Sequence, residues 1–102
     1  MNLFDTPGVR RLAEAFLSLS SPEECEAFLE DLLTGKEILD AAQRLGVAQM
    51  LRAGAVYSEI SRKTGASSAT ISRVNRACLY GRGGYAAVLE RLEEKSDDDT
   101  EK

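Results

Sequence analysis

The side chains with the most to offer a partner lie between Tyr57 and Arg76. Arg62, Lys63, Arg73 and Arg76 supply cations, and Ser67, Ser68, Thr70 and Ser72 supply hydroxyls around the small residue Ala69. Cationic side chains hold phosphate oxygens, while hydroxyls and guanidinium groups also reach base edges. That chemistry is recognition of a polyanion, not the making and breaking of bonds. The 102 residues include no His, which removes His-based triads, proton shuttles and His metal ligation. Cys25 and Cys78 cannot form a four-ligand zinc site alone, and they read as reduced, buried small apolar residues. Neither an enzyme nor a metal protein is expected.

Net charge alone argues against a nucleic-acid partner, because it is −4. Its distribution reverses the argument. Residues 1–51 carry −5 and residues 83–102 carry −4, but residues 52–82 set Arg52, Arg62, Lys63, Arg73, Arg76 and Arg82 against Glu59 for +5. A plain solvated basic face is the alternative reading.

These groups need elements to position them. Ala and Leu number 13 each and Glu 11, no long polar–apolar alternation occurs, and the chain reads as all-α. Val9, Leu12, Ala13, Phe16 and Leu17 form one apolar helix stripe, and Cys25, Phe28, Leu29, Leu32 and Leu33 form a second. Ser21, Pro22 and Glu24 make a capping box for that second helix. Thr34 and Glu37 make another, opening a long helix to about Ala53 that Gly54 stops. Ile38, Ala41, Ala42, Leu45 and Ala48 share one face of it, and Leu39, Val47, Met50 and Leu51 lie off that stripe. A helix apolar on several sides belongs at the centre of a fold or between two subunits. Short helices follow at about 58–64 and 68–79, then a Gly81–Gly84 break and a last helix with Tyr85, Val88, Leu89 and Leu92. Tyr80 and Tyr85 are expected to pack around the break, which lacks the spacing of a phosphate-binding loop.

Tyr57 to Val74 has the form of a helix-turn-helix, with the whole motif at about 57–79. Gly65 supplies a left-handed turn residue, Ile60, Ile71 and Val74 supply a small core, and Ser67 caps the second helix. Ser67, Ser68, Ala69, Thr70 and Arg73 then form a slim face for the major groove, with Arg62, Lys63, Ser72 and Arg76 placed for phosphates. A helix pair of this kind can also dock onto a protein partner.

Thr64 to Arg76, followed by Leu79-Tyr80-Gly81 and Gly84-Tyr85, resembles the tryptophan-repressor-related YerC/YecD family. Leu32 to Glu37 and Ala42 to Ala48 match as well, so the resemblance spans roughly residues 8–93. It implies a six-helix tryptophan-repressor-like fold in an intertwined homodimer, with the helix-turn-helix as the fourth and fifth helices. It also implies an effector pocket, since the tryptophan repressor holds L-tryptophan between its central and recognition helices. Thr34, Arg44 and Arg73 fall on the corresponding positions if one residue is deleted just after Gly54; a gapless match puts Gln43 in place of Arg44. Val74 stands where the repressor has Gly against the indole, so a branched side chain intrudes there. No cofactor is expected, and tryptophan or another small effector is disfavoured.

The expected protein is one helical domain over residues 1–95 with an acidic, disordered tail over 96–102. Asp97, Asp98 and Asp99 in that tail read as solubilising. No apolar run approaches the roughly 20 residues of a bilayer span, and the first residues lack a signal-peptide layout. The expected function is a cytoplasmic, homodimeric regulator of transcription, a repressor, that reads a pseudo-palindromic operator in double-stranded DNA. A protein-docking module without specific DNA binding is the main rival, and a metabolite sensor using Arg44 and Arg73 without DNA is the lesser one.

Overall fold

A computed structural model describes residues 2–100, with side chains through Lys95. After a 3-10 turn at Leu3–Asp5 come α1 (Pro7–Leu17), α2 (Pro22–Leu32), α3 (Gly35–Arg52), α4 (Tyr57–Thr64), α5 (Ser68–Tyr80) and α6 (Gly84–Thr100). No strand occurs among the described residues. The fold is all-α with six helices, as the sequence predicts. The chain gathers into two compact units, Met1–Ile38 and Leu39–Lys102, and the division falls inside α3.

In the first unit the helix starts follow from local chemistry. Ser21 accepts the Glu24 amide at 3.1 Å, with Pro22 in the first helical turn. The return half of that capping box differs from expectation. Glu24 Oε1 accepts from Ser20 N at 3.0 Å and Ser20 Oγ at 3.1 Å, because Ser20 offers two donors where Ser21 would offer its amide alone. The box at α3 closes both ways: Glu37 N donates to Thr34 Oγ1 at 3.1 Å and Thr34 N to Glu37 Oε1 at 2.9 Å. Hydrogen bonding to the carboxylate from Thr34, its backbone amide foremost and its side chain next, holds the Glu37 carboxyl below its ordinary value. Packing is thin. Phe16 and Phe28 meet edge to face with centroids 5.3 Å apart. Yet no residue of the 3-10 turn, α1 or α2 is buried, and Leu17 is 85% exposed.

The second unit has an interior. Val47 and Ala48 of α3, Ile60 of α4, Ala66 of the turn, Ile71 and Val74 of α5 and Leu89 of α6 are buried together. Leu45, Met50, Leu51, Ala55 and Tyr85 pack around them. α3 ends as expected at Gly54, whose φ of +86° lets Gly54 N bond Leu51 O and Ala55 N bond Met50 O, both at 3.0 Å.

Four expectations change. α3 buries Val47, which lies off the predicted stripe, while Ala41 and Ala42 are exposed; the interior faces only the second half of the helix. Cys25 is half-buried and Cys78 exposed, both free. Cys78 continues the Ile71–Val74 face by one turn, but there it borders open space. Tyr80 is 81% exposed, so Tyr85 alone of the two packs at the break. The expected tail is helical backbone through Thr100; its side chains and all of Glu101 and Lys102 lie outside the described residues.

Candidate nucleic-acid interface

The helix-turn-helix is held from inside. Ile60 and Ile71 are fully buried and Val74 nearly so, which fixes how α4 and α5 cross. Gly65 caps α4 at φ +75°, a conformation other residues adopt at a cost. Its amide bonds Ser61 O at 2.9 Å.

The rest of the turn is wired by side chains. Thr64 Oγ1 donates to Ile60 O at 2.7 Å and accepts from Ala66 N at 3.1 Å. Ser61 Oγ donates to Ala66 O at 2.9 Å. From α3, Gln43 Nε2 donates to Thr64 O at 3.1 Å. Ser67 caps α5 by accepting the Thr70 amide at 3.1 Å, and its hydroxyl donates to Thr70 Oγ1 at the same distance.

This scaffold turns polar and basic side chains outward. Arg62, Lys63, Ser67, Ser68, Ala69, Ser72, Arg73 and Arg76 are all exposed, and Thr70, whose hydroxyl accepts from Ser67 in the cap, is half-buried. The charge is unevenly available. Arg52 is tied to Glu90 at 3.5 Å and Glu93 at 3.2 Å on α6, and Lys63 lies 3.6 Å from Glu59. Arg62, Arg73 and Arg76 form no ion pair among the described residues. The +5 count therefore overstates the basic face, since a sum along the sequence misses the carboxylates of α6.

The residues assigned to an effector have separate local surroundings. Thr34 belongs to the first unit, where its hydroxyl is engaged as the α3 cap. Arg44 is half-buried without an ion pair among the described residues, and Arg73 is exposed. Val74 sits in the interior with Ile60 and Ile71. A cavity of about 240 Å³ does open in the second unit, but Leu51, Arg52, Cys78, Leu79 and Tyr85 are among its walls, and neither Arg44 nor Arg73 is. Sequence reasoning missed Gln43, Ser61 and Thr64 as builders of the turn. For Ser61 and Thr64 the available signal was a pair of hydrogen-bonding side chains just before one glycine; Gln43, on α3, gave none.

Such an arrangement, a crossed helix pair with its apolar triplet inside and its cations outside, defines a helix-turn-helix protein. The family model described as Trp repressor protein matches residues 8–93. The Bacillus subtilis (strain 168) protein called "Uncharacterized protein YerC" is 47% identical over 92 residues, covering 90% of this chain and 88% of that one. The crystal structure of a TrpR-like protein from Eubacterium eligens ATCC 27750 superposes with a TM-score of 0.86 at 49% identity, covering 91% of this chain and 96% of that chain. A candidate Trp repressor from Staphylococcus aureus gives 0.84 at 38% identity with the same coverage, 91% and 96%. The chain belongs to the Trp repressor family, a family of non-enzymatic DNA-binding regulators. No helix among the described residues is long and apolar enough to cross a membrane.

Proposed function

We propose that this chain is a cytoplasmic transcription repressor that works as a homodimer and reads a two-fold-related operator. The observation that carries the reading is the exposed face of α5: Ser67, Ser68, Ala69 and Arg73 stand outward on a helix whose other side is buried. A slim, hydroxyl-bearing helix start fits the major groove, where Arg73 reaches guanine and the hydroxyls reach base edges. Arg62, Lys63, Ser72 and Arg76 hold phosphates, fixing register without reading sequence. Thr70 stiffens the helix start through the Ser67 cap and offers the groove only its edge.

Dimerisation is supported by the apolar surface that one chain leaves uncovered. Leu12 and Phe16 are each 40% exposed and Leu39 is 72% exposed. A two-fold pair would set two α5 helices about 34–36 Å apart, one turn of B-DNA. Occupancy of a promoter by such a pair blocks transcription sterically. DNA reading in this proposal needs no tryptophan, because Val74 fills the place of the glycine that the tryptophan repressor sets beside the indole.

Selection of random duplex DNA on the purified protein, followed by anisotropy titrations across salt and with added tryptophan, tests the reading. Enrichment of a two-fold-related site with affinity falling steeply as salt rises is the expected result. Failure to enrich any site would overturn it in favour of the helix pair as a protein-docking module.

A further inference from the structure

We infer that Gln43 is a positioning residue for DNA reading, holding the helix-turn-helix against α3 so that α5 is presented ready-aimed. The inference rests on the proposed DNA function and adds to it the residue that orients the reader.

Three observations carry it. The carboxamide of Gln43 donates to the carbonyl of Thr64, 21 residues away, in a partly buried contact. Thr64 is the last residue of α4, so that carbonyl is one of those a helix end leaves without an intrahelical partner. The bonds of Ser61 and Thr64 close the turn on itself, whereas the Gln43 bond reaches it from a different helix. The side chains of Gln43 and Thr64 each also lie beside a glycine of the other element. A β-carbon on Gly65 would lie 3.9 Å from Gln43 Nε2, and one on Gly46 would lie 3.9 Å from Thr64 Cγ2.

The consequence is mechanical. α4 has eight residues, too short to hold its direction alone. Its start at Val56 has no side-chain cap, so the tether at its far end restrains the element that sets the angle of α5. Removing that restraint lets the reader sample orientations that must be lost again on specific binding, which weakens binding to the operator and leaves non-specific binding untouched. Gln43 lies on α3 and is assigned no contact with DNA.

The test compares the full chain with Gln43→Met, which keeps length and removes the donor. The expected result is a two- to tenfold loss of affinity for the selected duplex, about the size of one net hydrogen bond. Affinity for random duplex and the salt slope stay unchanged, and hydrogen exchange quickens at the Gly65 and Ala66 amides. Unchanged affinity with unchanged exchange overturns the inference. So does an equal loss on both duplexes with a lower Tm, which marks a merely structural side chain, or a changed salt slope, which marks a phosphate contact. If Gln43→Met does not fold, Gln43→Glu, which keeps the shape but cannot donate when ionised, gives the same exchange readout. Should the wild-type chain enrich no DNA site, the functional proposal fails separately, and exchange at the turn still decides the tether: faster exchange at unchanged Tm supports it, and equal exchange rejects it.

Discussion

The two compact units are built from the same kind of amphipathic helix and end with opposite interiors. α1 and α2 carry regular apolar stripes and bury no residue, whereas every buried side chain among the described residues lies between Val47 and Leu89. Amphipathicity states that a helix has a face to cover; it does not state that the same chain supplies the cover. In the second unit α3 to α6 cover one another. In the first, Leu12, Phe16 and Leu17 await another surface, which the proposed function assigns to a second copy. The surfaces differ in kind as well. The second unit shows solvent its Arg62, Arg73 and Arg76, without ion pairs among the described residues, a face suited to a polyanion.

Substitutions sharpen that contrast. The largest effect is expected at Ile71→Ala, which should lower unfolding free energy by about 2–5 kcal/mol in denaturant titrations, the cost of a core cavity. A loss below 1 kcal/mol would mean that the second unit is no better packed than the first. Leu17→Asp should leave that interior intact and act on assembly instead. Each copy would lose about 1.5–3 kcal/mol of apolar burial at the interface. Sedimentation should then show a shift from dimer to monomer, and an unmoved mass would return the α1 stripe to ordinary surface.

On the second unit's outer face, Arg73→Ala should cost about 1–3 kcal/mol of specific binding in anisotropy titrations with no change in Tm. Unaltered affinity and site preference would remove Arg73 from base reading. Arg62→Ala should weaken binding to all duplexes alike and flatten the salt slope by about one unit. The smallest effect belongs to the first unit's cap at α3. Because hydrogen bonds from Thr34 lower the Glu37 value, the ionised carboxylate favours the folded state. That contribution is complete above the ordinary 4.5 and is lost as pH falls below it through the lowered value. Melting curves from neutral to acid pH should show a small extra decline below 4.5 that Glu37→Gln lacks.

Much of this organisation is legible in the sequence because it is local. Caps at Ser21, Thr34 and Ser67, the stop at Gly54, the turn at Gly65 and the triplet Ile60, Ile71 and Val74 all follow from spacings of a few residues. Family resemblance adds the six-helix plan. What sequence reading lacks is contact across long separations. Arg52 counts as a free cation until Glu93, 41 residues on, is placed beside it. Gln43 shows no sign of its bond to Thr64, and Val47 departs from the α3 stripe because burial there depends on α4 to α6. At the site, the outward Arg and Ser residues are foreseen, whereas the half-buried Thr70 and the wiring of the turn are not.

The position of Leu89 has a consequence for how the protein is made. Among the described residues it is the last buried one in chain order, and it comes from α6. During synthesis the segments bearing Val47, Ile60, Ile71 and Val74 emerge first and wait with an open face until Leu89 follows. Helices as short as α4 are marginal in water until packing holds them. The nascent chain therefore completes its α1 and α2 segments early and its reading head late. A nonsense mutation at any of codons 81 to 89 would leave a product with the sequences of the first unit and of α5 whole and no closed interior behind α5.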